Sequence, residues 1–86
     1  MNEKPIFEIQ KNVRESIQLR LGTFKKYRFG DIRIFIKEED KDPIPTPRGL
    51  TISPSLWPQF KAGLVKMEEA MIAAGWLDAA DLEIEE

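Results

Sequence analysis

The stretch Ile17-Gln18-Leu19-Arg20-Leu21-Gly22-Thr23-Phe24-Lys25-Lys26-Tyr27-Arg28-Phe29-Gly30-Asp31-Ile32-Arg33-Ile34-Phe35-Ile36-Lys37 decides the fold. Ile17, Leu19 and Leu21 alternate with Gln18 and Arg20, the period-two signal of a half-buried strand. Gly22-Thr23 closes that strand, and Phe24-Lys25-Lys26-Tyr27 reads as a basic turn between two aromatic residues. A second strand runs from about Arg28 to Lys37. Ile32, Ile34 and Ile36 point to one face, which is expected to form the core. Phe29, Asp31, Arg33, Phe35 and Lys37 point to the other, which is expected to face solvent.

Upstream, Phe7-Glu8-Ile9 reads as a short strand and Lys11–Glu15 as polar and irregular. Downstream, Glu38–Pro47 holds three prolines and four acids and reads as a loop, with Leu50-Thr51-Ile52 as a short strand beyond it. Ser53-Pro54 has the chemistry of a helix start: serine accepts backbone N–H bonds, and proline suits the first helical position. Pro58 either kinks the first turn or delays the regular helix until after Trp57. Phe60, Leu64, Met67, Met71 and Ala74 then repeat at spacings of four and three, one apolar stripe on a helix that Gly75 stops. The stripe has two readings: it covers its own sheet, or it pairs with the same helix of a second subunit. Trp76-Leu77 follows, then an acidic tail from Asp78 to Glu86 with five acids and no base. Strands first and one long helix last give an α+β class, the helix packed on one face of an antiparallel sheet.

Composition narrows the function. The 86 residues make one domain, 42% hydrophobic and 33% charged, as in a globular protein. No apolar run approaches the roughly 20 residues of a membrane helix, and the N-terminus does not read as a signal peptide. With no cysteine there are no disulfides or thiolate ligands, and with no histidine the commonest general base and metal ligand are missing. Ser16, Ser53 and Ser55 therefore have no histidine to activate them. The expectation is a non-enzyme without cofactor or metal; Glu38–Asp42 is acidic but lacks the spacing and glycine of a calcium loop. A domain this small buries only about 60% of the surface of its unfolded chain, so oligomerisation is expected.

The net charge of −2 hides a split. Lys4 to Lys37 carries nine bases and three acids, a net +6; Glu38 to Glu86 carries four bases and eleven acids, a net −7; Glu3 supplies the remaining −1. Such asymmetry points to a charged partner. A positive groove lined with aromatic rings is what holds single-stranded nucleic acid. Phe24, Lys25, Lys26, Tyr27, Arg28, Arg33, Phe35 and Lys37 supply both parts. The plainer reading of the same residues is a solvated strand face with ordinary surface bases.

One set of motifs goes further. Asp31-Ile32-Arg33 is followed, sixteen residues after Arg33, by Gly49 in Arg48-Gly49-Leu50-Thr51-Ile52-Ser53-Pro54-Ser55-Leu56-Trp57. The order and spacing resemble the single-stranded-DNA-binding domain of the transcriptional positive cofactor four family, over about residues 17–72. The resemblance implies four antiparallel strands and a C-terminal helix in an intertwined homodimer. Its facing sheets would bind single-stranded DNA with little sequence preference, in transcription regulation (as a coactivator) or in replication and repair. Phe24 and Lys25 match the family's stacking aromatic and basic turn, Arg33 the arginine of the Asp-Ile-Arg strand, and Arg48 the base before the glycine. Lys26 stands where the family's turn has glycine, and Ile36 where many eukaryotic members have a stacking tryptophan.

The expected nucleic-acid contacts are then Arg20, Phe24, Lys25, Lys26, Tyr27, Arg28, Arg33, Phe35, Lys37 and Arg48, with Phe60, Leu64, Met67 and Met71 at the dimer interface. Residues 1–77 would form the binding domain and 78–86 an acidic tail. Eukaryotic members carry a serine-rich regulatory tail upstream for which this chain has no room. A bacterial or phage protein, cytoplasmic and nucleoid-associated, is therefore expected, with a nuclear location if the source is eukaryotic. Transcription or replication proteins would be further partners. The alternative is a protein-interaction module docking a partner through the helix stripe and Trp76-Leu77, with the acidic tail steering it.

Overall fold

The computed structural model describes residues 5–82. Glu3 and Lys4 of the charge pattern, and residues 83–86 of the acidic tail, lie outside the described residues. The chain divides into two units, Met1–Ser55 and Leu56–Glu86, taken here in turn.

The first unit is a four-stranded antiparallel meander in the order β1-β2-β3-β4, formed by β1 Phe7–Gln10, β2 Glu15–Phe24, β3 Tyr27–Ile36 and β4 Ile44–Ile52. The β1–β2 turn is organised by Asn12, whose Oδ1 accepts from the backbone N–H groups of Arg14 (3.0 Å) and Glu15 (2.9 Å). This is asparagine's usual competition with the backbone, and it favours turns over regular elements. The β2–β3 register runs unbroken from Glu15↔Ile36 to Phe24↔Tyr27, so β2 continues through Gly22-Thr23, where the sequence reading closed it.

β4 corrects the sequence reading. The proline-rich stretch expected as a loop to Pro47 is already strand from Ile44. Proline is excluded from central strands because it offers no N–H, but an edge strand or a bulge tolerates it. β4 is an edge strand, and its ladder to β3 shifts between Arg33↔Gly49 and Phe35↔Pro45. Thr46, Pro47 and Arg48 thus bulge opposite the single residue Ile34. The Thr46 hydroxyl holds the bulge by donating to Ile34 O (2.8 Å) and accepting from Arg48 N (3.2 Å). Gly49 is where the strands come closest: a Cβ there would sit 2.4 Å from Ile32 O and 2.8 Å from Arg33 Cα.

Burial corrects a second expectation. Ile32, Ile34 and Ile36 are only half-buried in the single chain. Among the described residues the buried ones are Phe35, Ile52, Ser16, Gln18, Asp31 and Gly22. Most of these lie on the face that carries Phe29, Asp31, Arg33 and Phe35, expected to be solvated. Long side chains and paired charges cover that face, as described below.

The second unit holds α1, Trp57–Ala73, and a short 3-10 turn, Ala79–Leu82. The helix does not start at Ser53. Its N-cap is Leu56, with no side-chain cap bond, and the Ser53 and Ser55 hydroxyls pair with each other at 3.0 Å. Pro58 explains the delay: a helix begun at Ser53 would need its missing N–H and would drive its ring into the Pro54 carbonyl. From Trp57 onward Pro58 falls in the first turn, where N–H groups have no partner anyway. At the other end Gly75 adopts φ +77°, Gly75 N–H donates to Ile72 O (3.0 Å) and Trp76 N–H to Met71 O (2.9 Å). This pair of bonds is a Schellman termination, so the glycine stop holds. The start of the acidic tail is ordered by Asp81, whose carboxylate accepts from Asp78 N–H (3.0 Å).

Gly49→Ala is expected to force β4 away from β3 and to destabilise the fold by about 1–3 kcal/mol, the range for overpacking. Urea unfolding at fixed protein concentration measures it; an unchanged midpoint would contradict the close approach.

Candidate nucleic-acid interface

The β2–β3 hairpin closes on Phe24↔Tyr27 with a two-residue loop, Lys25-Lys26. Short hairpin loops need positive φ at their central positions, so glycine, asparagine or aspartate usually fill them. Here the left-handed residue is Lys25, at φ +57°, rather than Lys26, which stands at the glycine position of the resembled family. Both lysines are thereby carried at the tip between two exposed rings: Phe24 is 64% and Tyr27 72% exposed. The Lys25 ammonium stands 5.6 Å from the Phe24 ring centroid, within cation–π range.

Strand alternation places Phe24, Gly22, Arg20, Gln18 and Ser16 of β2 on the same face as Tyr27, Phe29, Asp31, Arg33 and Phe35 of β3. That face is tied together by charge-assisted bonds. Asp31, 1% exposed, accepts from Arg33 Nη2 (2.9 Å) and Nε (3.2 Å). Arg33 Nη1 continues to Thr46 O (3.0 Å) in the β4 bulge. These bonds to Asp31 push the Arg33 guanidinium further above its ordinary range, so it is charged at any working pH. Gln18, 2% exposed, donates to Glu8 (2.8 Å) and accepts from Arg20 Nε (2.8 Å). The Arg20 guanidinium lies 4.7 Å from the centroid of the buried Phe35 ring. Among the described residues, no buried side-chain polar atom lacks a partner.

The structure thus brings some expected site residues together and separates others. Phe24, Lys25, Lys26 and Tyr27 share the hairpin tip. Arg20, Arg33 and Phe35 share the tied face, with Phe35 buried beneath Arg20. Arg28 belongs by alternation to the opposite face, pairing Thr23. Arg48 reaches Glu15, on the Ile17–Leu21 face, in a salt bridge. Lys37 lies just past β3, its N–H donating to Arg14 O (2.8 Å). Glu15 is held below its ordinary pKa first by the Asn12 amide and then by Arg48. A shallow cleft lined by Asn12, Val13, Arg14, Glu15 and Ile36 lies at the far end of the hairpin from Phe24.

In the second unit, Phe60, Leu64, Met67 and Met71 line one side of α1. Leu64 and Met67 are exposed, Phe60 and Met71 half-buried, and Phe60 stacks on Trp57 at 5.9 Å between centroids. No residue of α1 is buried. Among the described residues there is no cluster of three or more potential metal ligands, and no helix is long and apolar enough to cross a membrane.

Sequence reasoning missed the Phe29–Gly22 pair. A Cβ on Gly22 would lie 2.4 Å from Phe29 Cε2, so the ring sits directly on the glycine. The signal was present in principle, because a two-residue loop at Lys25-Lys26 makes the two residues cross-strand partners.

The fold is similar to that of BPSL1147, a PC4 homolog from Burkholderia pseudomallei K96243, in two crystal forms. The orthorhombic form matches with TM-score 0.70 at 29% identity, over 76% of this chain and 88% of that one. The tetragonal form matches with TM-score 0.69 at 29% identity, over 76% of this chain and 96% of that one. No family model and no curated protein matches the sequence. The chain has a PC4-like fold.

Two predictions concern the charges. Asp31→Ala strands the Arg33 guanidinium and is expected to destabilise by about 3 kcal/mol, the lower end for breaking a buried pair, since Arg33 keeps a fifth of its side chain exposed. Denaturant titration measures this, and a loss under 1 kcal/mol would show the pair to be weak. Glu15 has a lowered folded-state pKa, so its contribution is complete above its unfolded value of 4.5 and fades as pH falls through the lower folded value. Glu15→Gln is therefore expected to flatten the stability profile below pH 4.5, read from thermal melts across pH 2–6.

Proposed function

We propose that the protein is a homodimeric, sequence-tolerant binder of single-stranded DNA acting in transcription regulation or in replication and repair. The observation that carries this reading is the hairpin tip: two exposed aromatic rings flanking two lysines, at the end of a rigid polar sheet face in a PC4-like fold. Bases stack on Phe24 and Tyr27 while Lys25 and Lys26 meet phosphates; Arg28, on the opposite face by alternation, is left out of this contact set. Arg20 and Arg33 have a second task, holding the face, and Arg48 must share its charge with Glu15. Phe35 acts from beneath, as the support for Arg20. Residues 1–77 form the binding domain and 78–86 an acidic appendage. The exposed side of α1 around Leu64 and Met67 is what a second copy covers. Such a protein works where its DNA is, on a nucleoid or in a nucleus. A partner protein docking on Trp76, 79% exposed, is the second reading.

Fluorescence anisotropy with a labelled 20-mer oligo(dT), a matching duplex and two salt concentrations tests this. Single-strand binding that weakens with salt, and weaker duplex binding, are expected, because lysine and arginine displace counterions from phosphate. Phe24→Ala is expected to weaken binding by about 1–3 kcal/mol, the worth of one stacked base. Lys25→Ala should lower the salt slope by about one. No binding at low salt would overturn the reading and direct attention to a protein partner of α1 and Trp76.

A further inference from the structure

We infer that Phe29, seated on Gly22, is a second base-stacking platform of the same interface, one step inward from Phe24; this rests on the single-strand reading above. Phe29 and Gly22 are cross-strand partners, next along the face from the Phe24↔Tyr27 pair. Two residues of strand advance about 6.8 Å, so the Phe29 ring follows the hairpin rings at a fixed interval along the face. The glycine makes the platform. With no side chain at position 22, the Phe29 ring comes down onto the backbone, within 2.5 Å of where a Cβ would lie for both Cε2 and Cζ. A phenylalanine held this way loses its rotational freedom before any ligand arrives, and a preorganised ring spends less ordering entropy on binding. The ring is half-buried rather than buried, unlike Phe35 further along the same face, which Arg20 overlies. Phe29 alone on this face thus combines partial exposure with a rigid seat, while Phe24 and Tyr27 are largely exposed. Successive bases of an extended strand would meet an exposed aromatic pair at the tip and then a ring seated on the sheet.

The ligand recognised is the π-face of any base, so the platform adds affinity and length of contact without sequence preference. A merely structural role, shielding the glycine backbone, would require only apolar bulk over Gly22. The two roles separate under substitution. Phe29→Leu keeps apolar bulk; Phe29→Tyr keeps the ring; Gly22→Ala keeps every aromatic but displaces the ring from its seat.

The experiment measures anisotropy of oligo(dT) and of the same oligomer with abasic sugars at central positions, against wild type, Phe29→Leu, Phe29→Tyr, Gly22→Ala and Phe24→Ala, with a thermal melt of each to confirm folding. The expected result is a Kd raised about tenfold on oligo(dT) for Phe29→Leu and Gly22→Ala, the equivalent of 1.4 kcal/mol. Phe29→Tyr should stay near wild type, and Phe29→Leu should lose much less on the abasic oligomer. If wild type binds oligo(dT) and Phe24→Ala weakens it while folded Phe29→Leu binds like wild type, the platform is overturned and the interface reading stands. If wild type itself does not bind, both fall together. Should Gly22→Ala fail to fold, the Phe29→Leu and Phe29→Tyr comparison decides alone.

Discussion

The Asp31 carboxylate is the most buried side chain of the described residues, and the sheet is arranged around keeping it paired. A lone buried carboxylate is untenable, so Arg33 lies back over it with two of its nitrogens, and the third reaches the Thr46 carbonyl. That last bond fixes where β4 bulges. The bulge in turn brings Gly49 against the Ile32 carbonyl, a separation no other residue permits. One ion pair therefore positions a strand edge, a proline-containing bulge and a glycine. It also joins Asp31-Ile32-Arg33 to Arg48-Gly49 across the β3–β4 ladder, where Arg33 pairs with Gly49.

The same pair shapes what the face offers a ligand. Arginines on a binding surface are commonly long, mobile and free to follow phosphates. Here Arg33 is committed to Asp31 and Thr46, and Arg20 is bonded to Gln18 over Phe35. Their positive charge still reaches the surface, but from set positions. The adaptable groups lie at the hairpin tip, where Lys25 and Lys26 project between exposed rings. The face accordingly grades from hydrogen-bonded side chains in its middle to exposed ones at the hairpin tip.

The hairpin was legible because its signals are local: alternation through Ile17–Leu21 and Ile32–Ile36, and two lysines between two rings. The turn of α1 at Gly75 was legible for the same reason. β4 was not, because three prolines in five residues exclude a central strand and nothing in the local sequence says that this strand lies at an edge. Burial was misread from a sound alternation. Period two assigns residues to faces but does not say which face is covered, and here paired polar side chains cover theirs more completely than the isoleucines cover the other. The candidate site followed the same division: the Phe24–Tyr27 tip could be read directly, whereas the commitments of Arg33 and Arg48 depend on partners 13 and 33 residues away.

The prolines of β4 have a consequence for assembly. A strand seeking hydrogen bonds along that margin finds Pro45 and Pro47 without donors and a bulge that breaks the line. The opposite margin, Phe7–Gln10, contains no proline. The sheet is thus a template with one blank side. Two copies meeting margin to margin through β1 would leave only blank sides outward, so such pairing terminates at a closed pair and cannot propagate into a fibre.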